Sequence, residues 1–315
     1  MRSIGVYGIV LVVLTLPAFC SASTVISHID TDTTFTKSQS PYIISPGGVV
    51  VPKGVTLTVD PGAVIKFESN FSQLVIDGIL NVNGTPSDNV VFTSIKDDTV
   101  AGDTNNDGAS TSPDAQNWED IVFRDGSSGS ITNAIIGYGG SWGCTAWGCF
   151  GSRSGLYNNG GAVTISHSQL SQNNLFGIRQ DKGSLVMDNT EVDHQSYGFS
   201  FSNGTADISR NNFHDNAYGI YAPSTGNLAL TANTFIDNAS GAALINGRVN
   251  FTHADNVATG AGIKGFVLTG RVMSDQTWNA DVPYLISSVT VDAGKTLTID
   301  PGVVMKFYAS NSFLS

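Results

Sequence analysis

Two sets of residues in this chain of 315 have the types and spacing to do chemistry. The first is the run Asp103-Thr104-Asn105-Asn106-Asp107-Gly108-Ala109-Ser110-Thr111-Ser112-Pro113-Asp114. It follows the calcium-loop pattern D-x-[DN]-x-[DN]-G, in which Asp103, Asn105 and Asp107 supply side-chain oxygens and Gly108 makes the sharp turn. Ala109 offers its carbonyl, Thr111 its hydroxyl or a held water, and Asp114 a final carboxylate that is shorter than the usual glutamate. Hard oxygen donors select Ca2+ and exclude zinc. No helical pattern flanks the loop, so the expected role is a structural clip, with a solvated Asn/Asp turn as the alternative.

The second set is a pair of surface columns. Gln172, His194, Asp215 and Asp237 follow one another at intervals of 22, 21 and 22, and Ser171, Asp193, His214 and Ile236 precede them by one residue. Stacked in register, they gather Asp193, His194, His214, Asp215 and Asp237 on neighbouring coils. Asp215 and Asp237 then suit the paired carboxyls of a retaining glycosidase, with His194 beside them. A third column reads His167, Asn189, Arg210, Ala232 and His253, and Arg210 there suits a substrate carboxylate. Against catalysis, polar residues just after a buried apolar one are what any solvated turn contains. The chain has no Asn-Thr-Asp, Gly-His-Gly or Arg-Ile-Lys motif to support it. Trp142, Trp147 and Tyr157, in a glycine-rich insertion spanning 139–161, are candidates for stacking on sugar rings. The alternative for that insertion is a lid whose aromatics pack on the flank.

The columns exist only if one short unit repeats. Apolar strands centre on Ile165, Met187, Ile208, Leu230 and Phe251, spaced 22, 21, 22 and 21 apart. An apolar-x-x-Asn pattern keeps the same period through Leu170/Asn173, Val192/Gln195, Phe213/Asn216 and Phe235/Asn238, and so do Gly177, Gly198, Gly219 and Gly241. A repeat this short, rich in Gly, Asn and β-formers, predicts an all-β fold: a single-stranded right-handed parallel β-helix of 21 to 22 residues per coil. Inward apolar residues then stack at ~4.8 Å, amide side chains ladder in a buried turn, and glycine takes positions of positive φ or close approach.

The Asn-x-Phe-x-x-Asn-x-x-Gly-Ile texture of Asn211 to Ile220, echoed by Asn233 to Ala242, resembles secreted right-handed parallel β-helix repeats described in carbohydrate-binding proteins and sugar hydrolases. The Thr-Leu-Thr-(Val/Ile)-Asp-Pro-Gly segment with its following Lys-Phe is similar to the opening coils of large bacterial surface proteins of this fold. The resemblance covers most of residues 40–315. It implies fold and export, and leaves activity open because such helices serve many functions.

The ends and the composition complete the expectation. Arg2, an apolar run from Ile9 to Leu16, Pro17 and the small residues after it mark 1–23 as a cleavable signal peptide. That leaves Cys144 and Cys149 as an exported pair expected to form a local disulfide. Gly54 to Phe67 recurs as Gly294 to Phe307, 240 residues later. The expected domains are therefore a β-helix of about nine coils over 24–270, with insertions near 97–118 and 139–161, and the start of a second, truncated module over 271–315. Only 13% of residues are charged, and 15 basic against 26 acidic groups give a net −11, which disfavours nucleic acid and anionic lipid as partners. The functional expectation is a secreted or cell-surface scaffold that binds an extracellular polysaccharide or cell-surface glycan. The alternative is a polysaccharide-degrading hydrolase or lyase.

Overall fold

In a computed structural model that describes residues 23–145, 148–307 and 312–315, with the side chains of 143–150 left aside, the chain winds into a parallel β-solenoid of about 12 turns. The only helical element among the described residues is one 3-10 turn, Lys37–Gln39. Residues 1–22 of the segment 1–23 expected to be a signal peptide, and Trp147, lie outside the described residues.

Each regular coil presents three faces. The first is built of short strands such as Gln169–Ser171, Glu191–Asp193, Asn212–His214 and Thr234–Ile236, which belong to a ten-stranded parallel sheet. Tyr197–Phe201 and Tyr218–Ala222 lie on the second face, Thr205–Ser209 and Gly226–Thr231 on the third. Long strands such as Phe176–Asp188 run through both, so the second and third faces join as one larger sheet. The register confirms the apolar-x-x-Asn column: Leu170, Val192, Phe213 and Phe235 are successive partners. All four are buried, and the Phe213 and Phe235 rings stack with centroids 5.3 Å apart.

The amides at the turn after the first face form the expected ladder. Asn216 donates from its side chain to the Val192 carbonyl and accepts the Gln195 N–H, and Asn238 repeats this with Phe213 and Asn216. A second ladder stands at the turn before the face, where Asn211, Asn233 and Asn256 pass hydrogen bonds along the axis and end on Asp281. Each buried amide satisfies a backbone group that the corner would otherwise leave unpaired.

The glycine column serves the close approach foreseen for it. Gly177, Gly198 and Gly219 have no positive φ; they are glycine because a Cβ would come within 2.6–2.8 Å of the next coil's carbonyl. At the two corners flanking the first face, positive φ falls on non-glycine residues: His167, Asn189, Arg210 and Ala232 at one, and Gln172, His194, Asp215 and Asp237 at the other, all between 46° and 59°; Gly183, Gly204 and Gly226 take it between the second and third faces. The third column of the sequence reading loses its last member, because Leu230 pairs with His253 and not with Phe251. His253 is therefore a core residue with a fully buried side chain, and Asp255 takes the corner.

The repeated segment near the C-terminus stacks on the same solenoid. Tyr284–Val291 pairs with Phe266–Val272, and Met305–Phe307 pairs onto Tyr284–Val291 in turn. Its counterpart Tyr42–Ile44 lies in the ten-stranded sheet, whereas Tyr284–Val291 joins the larger one.

Candidate functional site

The first face carries its apolar residues inward, so the alternate positions point out and stack by coil. Glu191 and Asp193 from one coil meet Asn212 and His214 from the next. Asp193 is buried, and its carboxylate accepts from Ser171 Oγ at 2.8 Å and stands 2.5 Å from His194 Nδ1. His214 offers one ring nitrogen to Glu191 at 2.7 Å and the other to Asp215 at 2.8 Å. Partial burial works against protonating His214, but those two hydrogen bonds outweigh it and hold its pKa above the ordinary imidazole value. The rings of His194 and His214 meet edge to face, 6.4 Å between centroids.

The structure thus brings together Asp193, His194, His214 and Asp215, and adds Glu191, which the column reading missed. Glu191 is the outward neighbour two positions before Asp193, and strand alternation alone would have found it. Asp237 does not join them, because its carboxylate turns to the backbone N–H of Ala261. Arg210 sits at the opposite corner, paired with Asp188 at 2.5 Å. A positive-φ corner fixes the direction in which its side chain leaves the coil, and the two corners of one strand point apart.

His194 and Asp215 line an open groove of ≈ 600 Å³, together with Gln172, Asn174, Ser196 and Asp114. Ser196 and Ala217 on its floor are followed in the chain by Tyr197 and Tyr218. Those tyrosines start an outward aromatic row on the second face: Phe176 and Tyr197 have centroids 5.5 Å apart, Tyr197 and Tyr218 stack at 5.9 Å, and Tyr221 lies 4.7 Å from Tyr197. All four are half-buried. The sequence signal for this row was present: Phe176, Tyr197 and Tyr218 immediately precede the periodic glycines.

The aromatic residues picked from the insertion have other company. The Arg153 guanidinium lies 4.0 Å over the Trp142 ring, and Arg179 lies 5.0 Å over Tyr157. The Tyr157 hydroxyl donates to Asp181 at 2.8 Å, and burial together with that carboxylate raises its pKa. Tyr157 thus packs as part of the flank, whereas Trp142 stays 39% exposed beside Arg153. Below the insertion lies Asp120, fully enclosed; burial pushes its carboxyl up to about 7 against a hydrogen bond from Ser152.

The acidic loop forms a separate centre. Asp98, Asp103 and Asp107 each bring a carboxylate oxygen within 4.8 Å of the others. Asp98 Oδ1, Asn105 Oδ1 and Asp107 Oδ1 are shielded from solvent and have no hydrogen-bond partner. Asp103 accepts the N–H groups of Asp107 and Gly108, which makes the tight turn foreseen for the glycine. These donors fit a hard cation, since buried oxygens without protons to accept are otherwise costly. Thr111 spends its hydroxyl on Asp107. Ala109 is exposed, and Asp114 leaves the cluster to accept the Ala115 N–H and line the groove. Asp98 takes the place in the cluster that spacing had assigned to Asp114. Lys66 anchors the loop from the core, donating to the Asp97 and Gly102 carbonyls and to Thr104 Oγ1 at 2.7–2.8 Å.

The backbone sets Cys144 opposite Cys149 in a two-stranded antiparallel ladder, Gly143–Thr145 with Gly148–Phe150.

The family model described as "Right handed beta helix region" matches residues 116–273, half of the chain. The chain belongs to this right-handed β-helix family. The match spans the coils that carry the His/Asp cluster and the aromatic row, whereas the acidic loop precedes it. No curated protein and no solved structure matches the chain. Among the described residues of the β-helix, no helix is long and apolar enough to cross a membrane.

Proposed function

We propose that this β-helix is a secreted or cell-surface scaffold that binds a glycan along the corner between its first and second faces. The observation that carries the reading is the adjacency of two surfaces: a groove lined by hydrogen-bonding side chains, and an aromatic row recurring once per coil. Sugars have apolar C–H faces and polar edges, so a wall of rings beside a wall of amides, hydroxyls and carboxylates matches them on both sides. Ca2+ held by Asp98, Asp103, Asn105 and Asp107 clips the insertion to the coils, and a Cys144–Cys149 disulfide closes the second insertion. The test is retention of the purified chain in gels containing a panel of neutral and acidic polysaccharides. Retention by a subset supports the reading, and migration unchanged by every polymer sinks it.

One observation favours a second reading, a polysaccharide-degrading enzyme. Buried Asp193 orients an imidazole, His194, whose side chain is 55% exposed, an arrangement suited to proton transfer. Release of new reducing ends or unsaturated products, abolished in Asp193→Asn, would establish it.

A further inference from the structure

The charges around the groove say which glycans it accepts. The lining includes Asp114 and Asp215 and contains no lysine or arginine. Behind it stand Asp193 and Glu191, and the charge of His214 is already shared between Glu191 and Asp215. Of the nearby arginines, Arg153 lies 4.0 Å over the Trp142 ring, and the others are held by carboxylates. Arg179 makes a two-point pair with Asp181 at 3.1 and 2.6 Å, and Arg210 is held by Asp188 at the far corner. Lys182 bonds Asp125. Within reach of the groove, carboxylates therefore outnumber free cations.

Geometry turns this local charge into a selection rule. The aromatic rings recur with the coil, at 5.5 and 5.9 Å between centroids, and one pyranose is close to one coil rise in length. A chain stacked on Phe176, Tyr197 and Tyr218 thus sets one sugar per coil. A uronic acid polymer in that position would bring a carboxylate to each coil beside Asp114 and Asp215, with no lysine or arginine in the lining to meet it. We infer that the groove takes glycans without carboxylates and rejects uronic acid polymers by charge, an inference that rests on the glycan reading above.

The test compares three oligosaccharides by calorimetry at low ionic strength with the full chain: a neutral oligosaccharide retained in the gel panel, a uronic acid oligomer, and its fully methyl-esterified form. The expected result is binding of the neutral and esterified oligomers, with the acid form at least about tenfold weaker. That gap should narrow in high salt, which screens exposed charges, and in the Asp114→Asn/Asp215→Asn double variant. Acid binding equal to or tighter than ester binding overturns the inference while leaving the glycan reading intact. Rejection of both uronate forms alongside neutral binding assigns the exclusion to shape and also overturns it. Failure of all three to bind removes the glycan reading itself.

Discussion

The ring of Tyr197 lies parallel to that of Tyr218, their planes 5° apart and their centroids 5.9 Å apart on successive coils. Both side chains point outward beside the groove, so truncation removes contact surface without opening the core. Tyr197→Ala and Tyr218→Ala should each weaken glycan binding by about 1 kcal/mol, roughly fivefold, with little change in melting temperature. Val186→Ser, on the exposed third face, is the comparison and should leave the affinity unchanged. Affinity electrophoresis reads both effects.

Chelation should lower the melting temperature, and added Ca2+ should restore it. At about a hundredfold excess over Kd, ligand binding contributes about 2.7 kcal/mol to stability. Asp98→Asn is the sharper probe, because Asp98 lies outside the sequence motif yet shares the cluster with Asp103 and Asp107. Its calcium response should be reduced at least tenfold in affinity; a normal response would remove Asp98 from the site.

Asp120 makes stability depend on pH. Burial raises its carboxyl from 3.8 to about 7, so between those values the folded chain holds a proton that the unfolded chain has released. Stability contributed by this group is therefore fully present at low pH and falls as pH rises toward 7. Asp120→Asn should flatten that decline, being more stable than the parent at pH ~8 and little different at pH ~4. Urea midpoints across the range measure it.

Asn216→Ala should destabilise by about 2–3 kcal/mol, since it strands the Val192 carbonyl and the Gln195 N–H in a buried turn. Asn250→Ala removes the hydrogen bond its side-chain amide donates to Asn227 on the exposed surface and should cost under about 0.5 kcal/mol. Equal costs would show that the buried ladder carries no special weight.

On the secreted reading proposed above, Cys144 and Cys149, opposite one another in their ladder, should be oxidised. Intact mass should rise by two hydrogens on reduction, and alkylation without reductant should label neither residue.

Much of the fold was legible because a solenoid is written one coil at a time. The stacking of Leu170, Val192, Phe213 and Phe235 imposes a period that any reader of the chain can count. Asn216 and Asn238 were equally visible, since a buried corner needs an amide once per coil. The position of His253 was not, because the coil from Leu230 runs 23 residues where the counted step was 21, which exchanges core for corner, and only the register reveals the slip. Asp98 was hidden for a related reason: a loop that folds back on itself brings in a ligand from outside the local motif.

The sequence by itself determined the repeat, the inward columns, the amide ladder and the acidic loop, since each follows from what must recur or turn locally. Tertiary structure alone decided which outward residues meet. The two corners of a strand send side chains in different directions, so Arg210 parts from Asp193, His194, His214 and Asp215, while Asp237, at their own corner, turns its carboxylate to the Ala261 N–H. The same winding sets Tyr197 and Tyr218 at the edge of the groove, a neighbourhood created by stacking coils and not by the distance between residues along the chain.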